Sequence, residues 1–85
     1  MNYKVQSIIF DKHDWNLESI VHWIIENAFK IKKIDLTKNF FRVRQLDPNY
    51  LKKKGFTHYH NKNIGQGIEL VLVYKEPIQV VENYL

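Results

Sequence analysis

Only one stretch of the chain repeats its apolar residues at helical spacing, and that constrains the fold more than any other feature. Leu17, Ile20, Val21 and Ile24 recur with the period of a helix, and Ala28 continues the stripe. Asn16 is placed to cap the start, with Glu18 in the first turn, where the helix dipole favours a negative charge. Asn27 and Ala28 are expected to end the helix, with Asn27 able to take the left-handed conformation that closes such ends. The polar face of this helix, Glu18, Ser19, His22 and Glu26, is narrow, while Trp23 and Ile25 widen the apolar arc beyond what one sheet face needs. That excess predicts contact between one flank and another protein chain.

Everything else reads as strand and turn. "YKVQSIIF" (3–10) is rich in β-branched and aromatic residues and predicts a strand. "FKIKKIDL" (29–36) alternates loosely and "TKN" turns the chain into "FFRVRQL" (40–46), so 30–46 predicts a β-hairpin. "DPNYLKKKG" opens on a turn signal and predicts one helical turn closed by Gly55. "FTHYHNK" (56–62) and "IELVLVYK" (68–75) predict strands joined across "NIGQG", whose two glycines supply positive φ, and Pro77 stops the last strand. The order is β-α-β-β-β-β. It places the chain in the α+β class: a mainly antiparallel sheet of about five strands with one helix packed on one face and the other face uncovered.

At 85 residues the chain is one domain, read as 1–76, with a tail at 77–85 apolar enough to dock on its own sheet or on a dimer partner. A core this small usually needs disulfides, metals or oligomerisation to support it, and zero cysteines exclude disulfides and thiolate metal sites. The lack of cysteine fits a reducing compartment. "MNYKVQSIIFDK" lacks the form of a signal peptide, and no apolar run reaches the roughly 18 residues that cross a bilayer, so a soluble, intracellular protein without a membrane partner is expected.

The charge is segregated along the sequence. Between Lys30 and Lys62 ten basic residues face two acids, a net of +8, whereas the rest of the chain carries three lysines against seven acids, a net of −4. Such asymmetry points to a surface that meets a polyanion, or to a lysine-rich solvated face. Strand alternation sorts the candidates: Phe40, Arg42, Arg44 and Leu46 point one way, and Phe41, Val43 and Gln45 point the other, toward the core. Phe56, His58, His60 and Lys62 likewise share a face. If the polar faces of these two strands fall on the same side, two arginines and two histidines line one platform, suited to stacked bases and tracked phosphates. The alternative is that Phe40 and Phe56 are core and the arginines pair with Asp35, Asp47 or Glu69. The run Lys52, Lys53, Lys54 is either a phosphate-contact or nuclear-import cluster or a solvated turn.

Other chemistry is poorly supplied. His58 and His60 with His13 are too few convergent ligands for zinc, so no metal and no cofactor are expected. There is no G-x-S-x-G, H-E-x-x-H or P-loop and no nucleophilic cysteine, and "GQG" lacks the following helix that phosphate binding needs. A chain this short also has little material for a deep substrate pocket. No enzyme and no small-molecule substrate are expected.

The chain resembles a small domain of large DNA viruses of eukaryotes, met in related form in proteins of tailed phages. The resemblance covers about residues 5–75 and rests on Val5, Gln6, Ser7, Trp15, Trp23, Phe29, Lys30, Asp35, Thr37, Asn39, Arg42, Arg44, Gln45, Gly65, Gly67 and Ile68. Val43 departs from the more usual aromatic, which weakens a stacking role there. The resemblance brings no activity with it. It implies a viral origin and a compact non-catalytic module, associated with the virion or located in the cytoplasm or nucleus of a host cell. Taken with the charge, the expectation is a homodimeric domain that binds nucleic acid, DNA above all, with little sequence preference through Lys32, Lys33, Arg42, Arg44, Lys52, Lys53, Lys54, His58, His60 and Lys62. The competing expectation is a structural or protein-interaction module with no nucleic-acid role, serving virion assembly or host-factor binding.

Overall fold

Seven elements follow one another along residues 2–75, the part of the chain that the computed structural model describes: β1 (Tyr3–Asp11), α1 (Leu17–Glu26), β2 (Ile34–Leu36), β3 (Phe40–Arg44), α2 (Pro48–Lys53), β4 (His58–Gly65) and β5 (Ile68–Tyr74). The strands form one sheet in the order β2-β3-β1-β5-β4, with every neighbouring pair antiparallel. The α+β class and the five strands are as the sequence predicts. The element order gains a second helix, α2. The predicted tail and Pro77 lie outside the described residues.

α1 begins as predicted. The Asn16 side chain accepts from the Ser19 N–H at 2.9 Å and the Ser19 hydroxyl accepts from the Asn16 N–H at 3.0 Å, a reciprocal cap that satisfies two donors at once. Its end differs from expectation by one residue. Asn27 stays near helical geometry at φ −99°, and it is Ala28 that turns left-handed at φ 60°. The Ala28 N–H then donates to Ile25 at 3.1 Å and the Phe29 N–H to Ile24 at 3.0 Å. This paired closure is sealed by the Phe29 ring stacked on Trp23 at 5.8 Å.

α1 lies on the face that carries Ile8, Phe10, Val43 and Ile68, and these join Ile20 and Ile24 in the main core. Phe10 is fully buried at its centre, meeting the Trp15 ring edge-on at 5.1 Å and the Trp23 ring at 5.5 Å. Trp23, whose bulk reads as excess in the sequence, is thus used internally. Leu17 and Ile25 do stay outside, with Ile25 63% exposed.

The opposite face is not bare. Val73 points away from Leu70 and Leu72 and meets Leu51 of α2, with Phe56 and Leu46, in a second small core. The Asp47 carboxylate caps α2 through the Asn49 N–H at 2.8 Å, and Pro48 supplies a preset first residue. Its end repeats the closure of α1: Gly55 N–H to Lys52 at 3.1 Å and Phe56 N–H to Leu51 at 2.9 Å, with Gly55 at φ 88°.

Two strand boundaries move. Residues 29–33 are not ladder-paired; instead the buried Gln45 amide accepts from the Lys30 N–H at 2.8 Å and donates to the Lys30 carbonyl at 2.7 Å, mimicking a strand with one side chain. β4 starts after Phe56 and runs on to Gly65 with a bulge between Asn63 and Gly65, and all eight of its residues are exposed along the sheet edge. The turn that follows has positive φ at Gly65, Gln66 and Gly67. It is clamped to the loop after β1, because the Trp15 indole donates to the Gln66 carbonyl at 2.6 Å and the Asp11 N–H to the Gly67 carbonyl at 2.9 Å. A Cβ on Gly67 would stand 2.5 Å from an Asp14 carboxylate oxygen, which would have to move aside, and at φ 73° any side chain is strained there. Among the described residues no helix is long and apolar enough to cross a membrane.

Candidate nucleic-acid interface

Register decides which charged side chains share a face, because directly opposed residues in antiparallel strands project to the same side. Arg42 opposes Ile9, which opposes Glu69, which opposes Asn63; Arg44 opposes Ser7, then Val71, then Asn61. His58, His60 and Lys62 oppose Tyr74, Leu72 and Leu70, on the face that α1 covers. The common platform of two arginines and two histidines therefore does not form. The arginines lie on the α2 side of the sheet and the histidines on the α1 side.

The arginine face is also close to electrically balanced, since Arg42 and Arg44 share it with Asp11, Asp35 and Glu69. The alternative of direct pairing fails as well. Among the described residues the ion pair within 4 Å joins Lys33 to Asp35, at 3.6 Å, with Lys33 largely in water and the bond correspondingly weak. Arg42 is tied down differently: its Nε donates to the Ser7 hydroxyl at 3.3 Å, Ser7 donates to the Gln6 amide oxygen at 2.7 Å, and the Gln6 amide donates to the Leu46 carbonyl at 3.0 Å. This chain satisfies two buried polar side chains beside the break in register between Val5 and Ser7.

What the fold does gather is charge at one end of the strands. β1 starts, β3 and β5 finish, and α1 finishes at the same end, where α2 also sits. Among the described residues Lys4, Lys30, Lys32, Lys33, Arg44, Lys52, Lys53, Lys54 and Lys75 collect there against Glu26 and Asp47, with Asp35 paired to Lys33. Lys32 is held by the Gln45 carbonyl at 3.2 Å. The Lys4 and Lys75 amines lie over the Phe56 ring at 5.5 and 5.2 Å, and Lys54 lies over Tyr50 at 5.8 Å. The far end holds Asp11, Asp14, Glu18 and Glu69 with Lys12 and Lys38. There the Lys12 amine is already engaged, donating to the Thr37 carbonyl and lying over the Phe41 ring.

Of the ten residues the sequence nominates, Lys32, Lys33, Arg44, Lys52, Lys53 and Lys54 come together at the basic end, with His58 beside them on the other face. Arg42, His60 and Lys62 stand further along the strands. Sequence reasoning misses Lys4 and Lys75, which lie outside the basic stretch; their strands pair antiparallel, Tyr3 with Tyr74, and that brings them together. His13 is in the loop after β1, at the opposite end from His58, and among the described residues no three metal-ligating groups converge.

Two grooves open on the basic end. One, of about 280 Å³, runs between α2 and the start of β4 and is lined by Pro48, Asn49, Lys52, Phe56, Thr57 and Tyr59. The other, of about 290 Å³, lies beside the end of α1 and includes Lys4, Val5, Phe29, Lys30, Gln45 and Leu46. No protein-family model, curated protein or solved structure matches the chain, so the functional reading rests on these residues themselves.

Proposed function

We propose that the protein is a non-catalytic nucleic-acid-binding module of low sequence specificity, DNA its first target, which engages phosphates with its basic end rather than with a sheet face. One observation carries the reading: among the described residues nine cations drawn from separate stretches of the chain gather at one end, against Glu26, Asp47 and the Asp35 carboxylate that pairs with Lys33. Side chains on flexible stems at a surface end make good phosphate contacts and poor base-edge readers, which is the basis for low specificity. A homodimer would double this charge, and association with a virion, as the viral resemblance implies, would give the bound genome as partner.

If about six of these cations meet phosphates, duplex affinity falls roughly 10³-fold between about 50 and 200 mM salt. Titration of fluorescent DNA at both salts tests this, beside a variant with Arg44, Lys52, Lys53 and Lys54 changed to Gln. The variant should flatten the salt dependence of log affinity by about 3.6. Salt-insensitive or absent binding removes the proposal. Sedimentation at micromolar protein tests the dimer, and a clean monomer removes that part.

A second reading has its own support in β4, whose eight exposed residues leave one edge without a strand partner among the described residues. Such an edge accepts a peptide strand, which would make the chain a protein-interaction module. Binding of a protein partner that survives high salt and is lost when Asn61→Pro blocks the edge supports this second reading.

A further inference from the structure

We infer that the groove between α2 and the start of β4 receives an unpaired base, so that single-stranded nucleic acid is the preferred polyanion; this rests on the proposal above that the basic end binds nucleic acid. Tyr59 opposes Val73 and therefore projects on the α2 side of the sheet, where the residue is 50% exposed and, among the described residues, has no aromatic partner. A large half-exposed ring at a sheet edge is a stacking surface waiting for a planar partner. The floor beside it is Phe56, whose ring is already polarised by the Lys4 and Lys75 amines. Lys52 stands on the rim, with Lys53 next to it in α2 and Lys54 at the C-cap, so phosphates beside a seated base meet positive charge.

The polar groups of the groove suit a base more than an apolar peptide. Among the described residues neither the Asn49 side-chain amide nor the Thr57 hydroxyl has a hydrogen-bond partner, so a donor–acceptor pair and a hydroxyl are free to meet the edge of a heterocycle. The groove is a surface cleft open to solvent, into which a base swung out from a flexible strand can enter. A B-form duplex keeps its bases stacked and paired and offers the same end of the protein its phosphates alone. The two substrates are thus separated by the ring and not by the charge.

The test uses the full chain with two fluorescent probes, an oligothymidine of about 15 nucleotides, within the range of single-strand site sizes, and a duplex of equal length. Tyr59→Leu keeps bulk and removes the π-face; Tyr59→Phe keeps the π-face and removes the hydroxyl. One stacked base corresponds to a loss of about 5- to 150-fold in single-strand affinity for Tyr59→Leu, with duplex affinity and the salt slope unchanged and Tyr59→Phe close to wild type. Circular dichroism of each variant establishes that it is folded, which the exposure of Tyr59 favours. If Tyr59→Leu weakens neither probe, or both equally, the base groove is overturned while the electrostatic reading survives, because the Arg44, Lys52, Lys53, Lys54 variant still loses both probes. If the wild-type chain binds neither probe at low salt, both readings fall together.

Discussion

The two helix ends provide a controlled experiment in backbone strain. Both close with the same pair of hydrogen bonds and both need a left-handed residue, but α1 places Ala28 there at φ 60° and α2 places Gly55 at φ 88°. An alanine held left-handed costs about 1–2 kcal/mol against its right-handed form, whereas glycine pays no such penalty. Ala28→Gly removes that cost, and the greater freedom of glycine in the unfolded chain returns about 0.4–1 kcal/mol. Ala28 is exposed, so its methyl contributes little burial. The net expectation is a gain of about 0.5–1 kcal/mol, or a rise of about 2–8 °C in Tm for a domain of this size. Gly55→Ala is the reverse case and a clean one, since an added Cβ there meets nothing within 4 Å. It should lose a similar amount for conformational reasons alone, and the double exchange should come out near wild type because the two helices they close pack in different cores. Thermal unfolding followed by circular dichroism, with urea midpoints as a second measure, reads all three variants. A neutral or destabilising Ala28→Gly, or a neutral Gly55→Ala, would refute the claim that the closures store left-handed strain.

Three further perturbations address how the basic end and its opposite are held. Gly67→Ala drives a methyl against Asp14 and Asp11 and should cost about 1–3 kcal/mol, with Gly67→Ala combined with Asp14→Ala recovering the steric part only; urea unfolding separates the two. Gln45→Glu keeps the acceptor for the Lys30 N–H but sets a carboxylate against the Lys30 carbonyl, so it should destabilise by about 1–3 kcal/mol and loosen residues 29–33, read as faster amide exchange there; unchanged protection would count against the strand-mimic role. Trp15→Phe removes the donor to the Gln66 carbonyl and should cost about 1 kcal/mol or slightly more, with the loss of exchange protection confined to the 65–67 turn and the loop after β1.

How far the sequence could be read depends on the range of each interaction. α1 was legible in its period and its cap because both are local, and so was the 30–46 hairpin, although Gln45 replaces part of a strand that alternation alone had assigned. α2 announced itself through Asp47-Pro48 and Gly55, but its place on the far side of the sheet depends on Val73, a contact across more than twenty residues that no local pattern reveals. The histidine–arginine platform failed for a related reason. Its two strands are not neighbours, and the relation between them runs through β1 and β5 and past irregularities at Val5/Ser7 and Asn63/Gly65. A slip of one residue at either place reverses every side chain beyond it. Lys4 and Lys75 were invisible as site residues for the same reason, since only strand pairing makes them neighbours, and the exposure of Tyr59 required knowing that β4 is an edge.

Sorting charge by end gives the described residues a permanent electric moment running roughly along the strands. In the field of an extended polyanion such a body feels a torque before it touches anything, and it arrives with the lysine-bearing end leading. Orientation is thereby settled during approach, over a distance set by the ionic atmosphere, about 8–10 Å near physiological salt. Docked as proposed, the molecule would turn Asp11, Asp14, Glu18 and Glu69 outward, so a coated polymer would show the solvent a face of its own original sign.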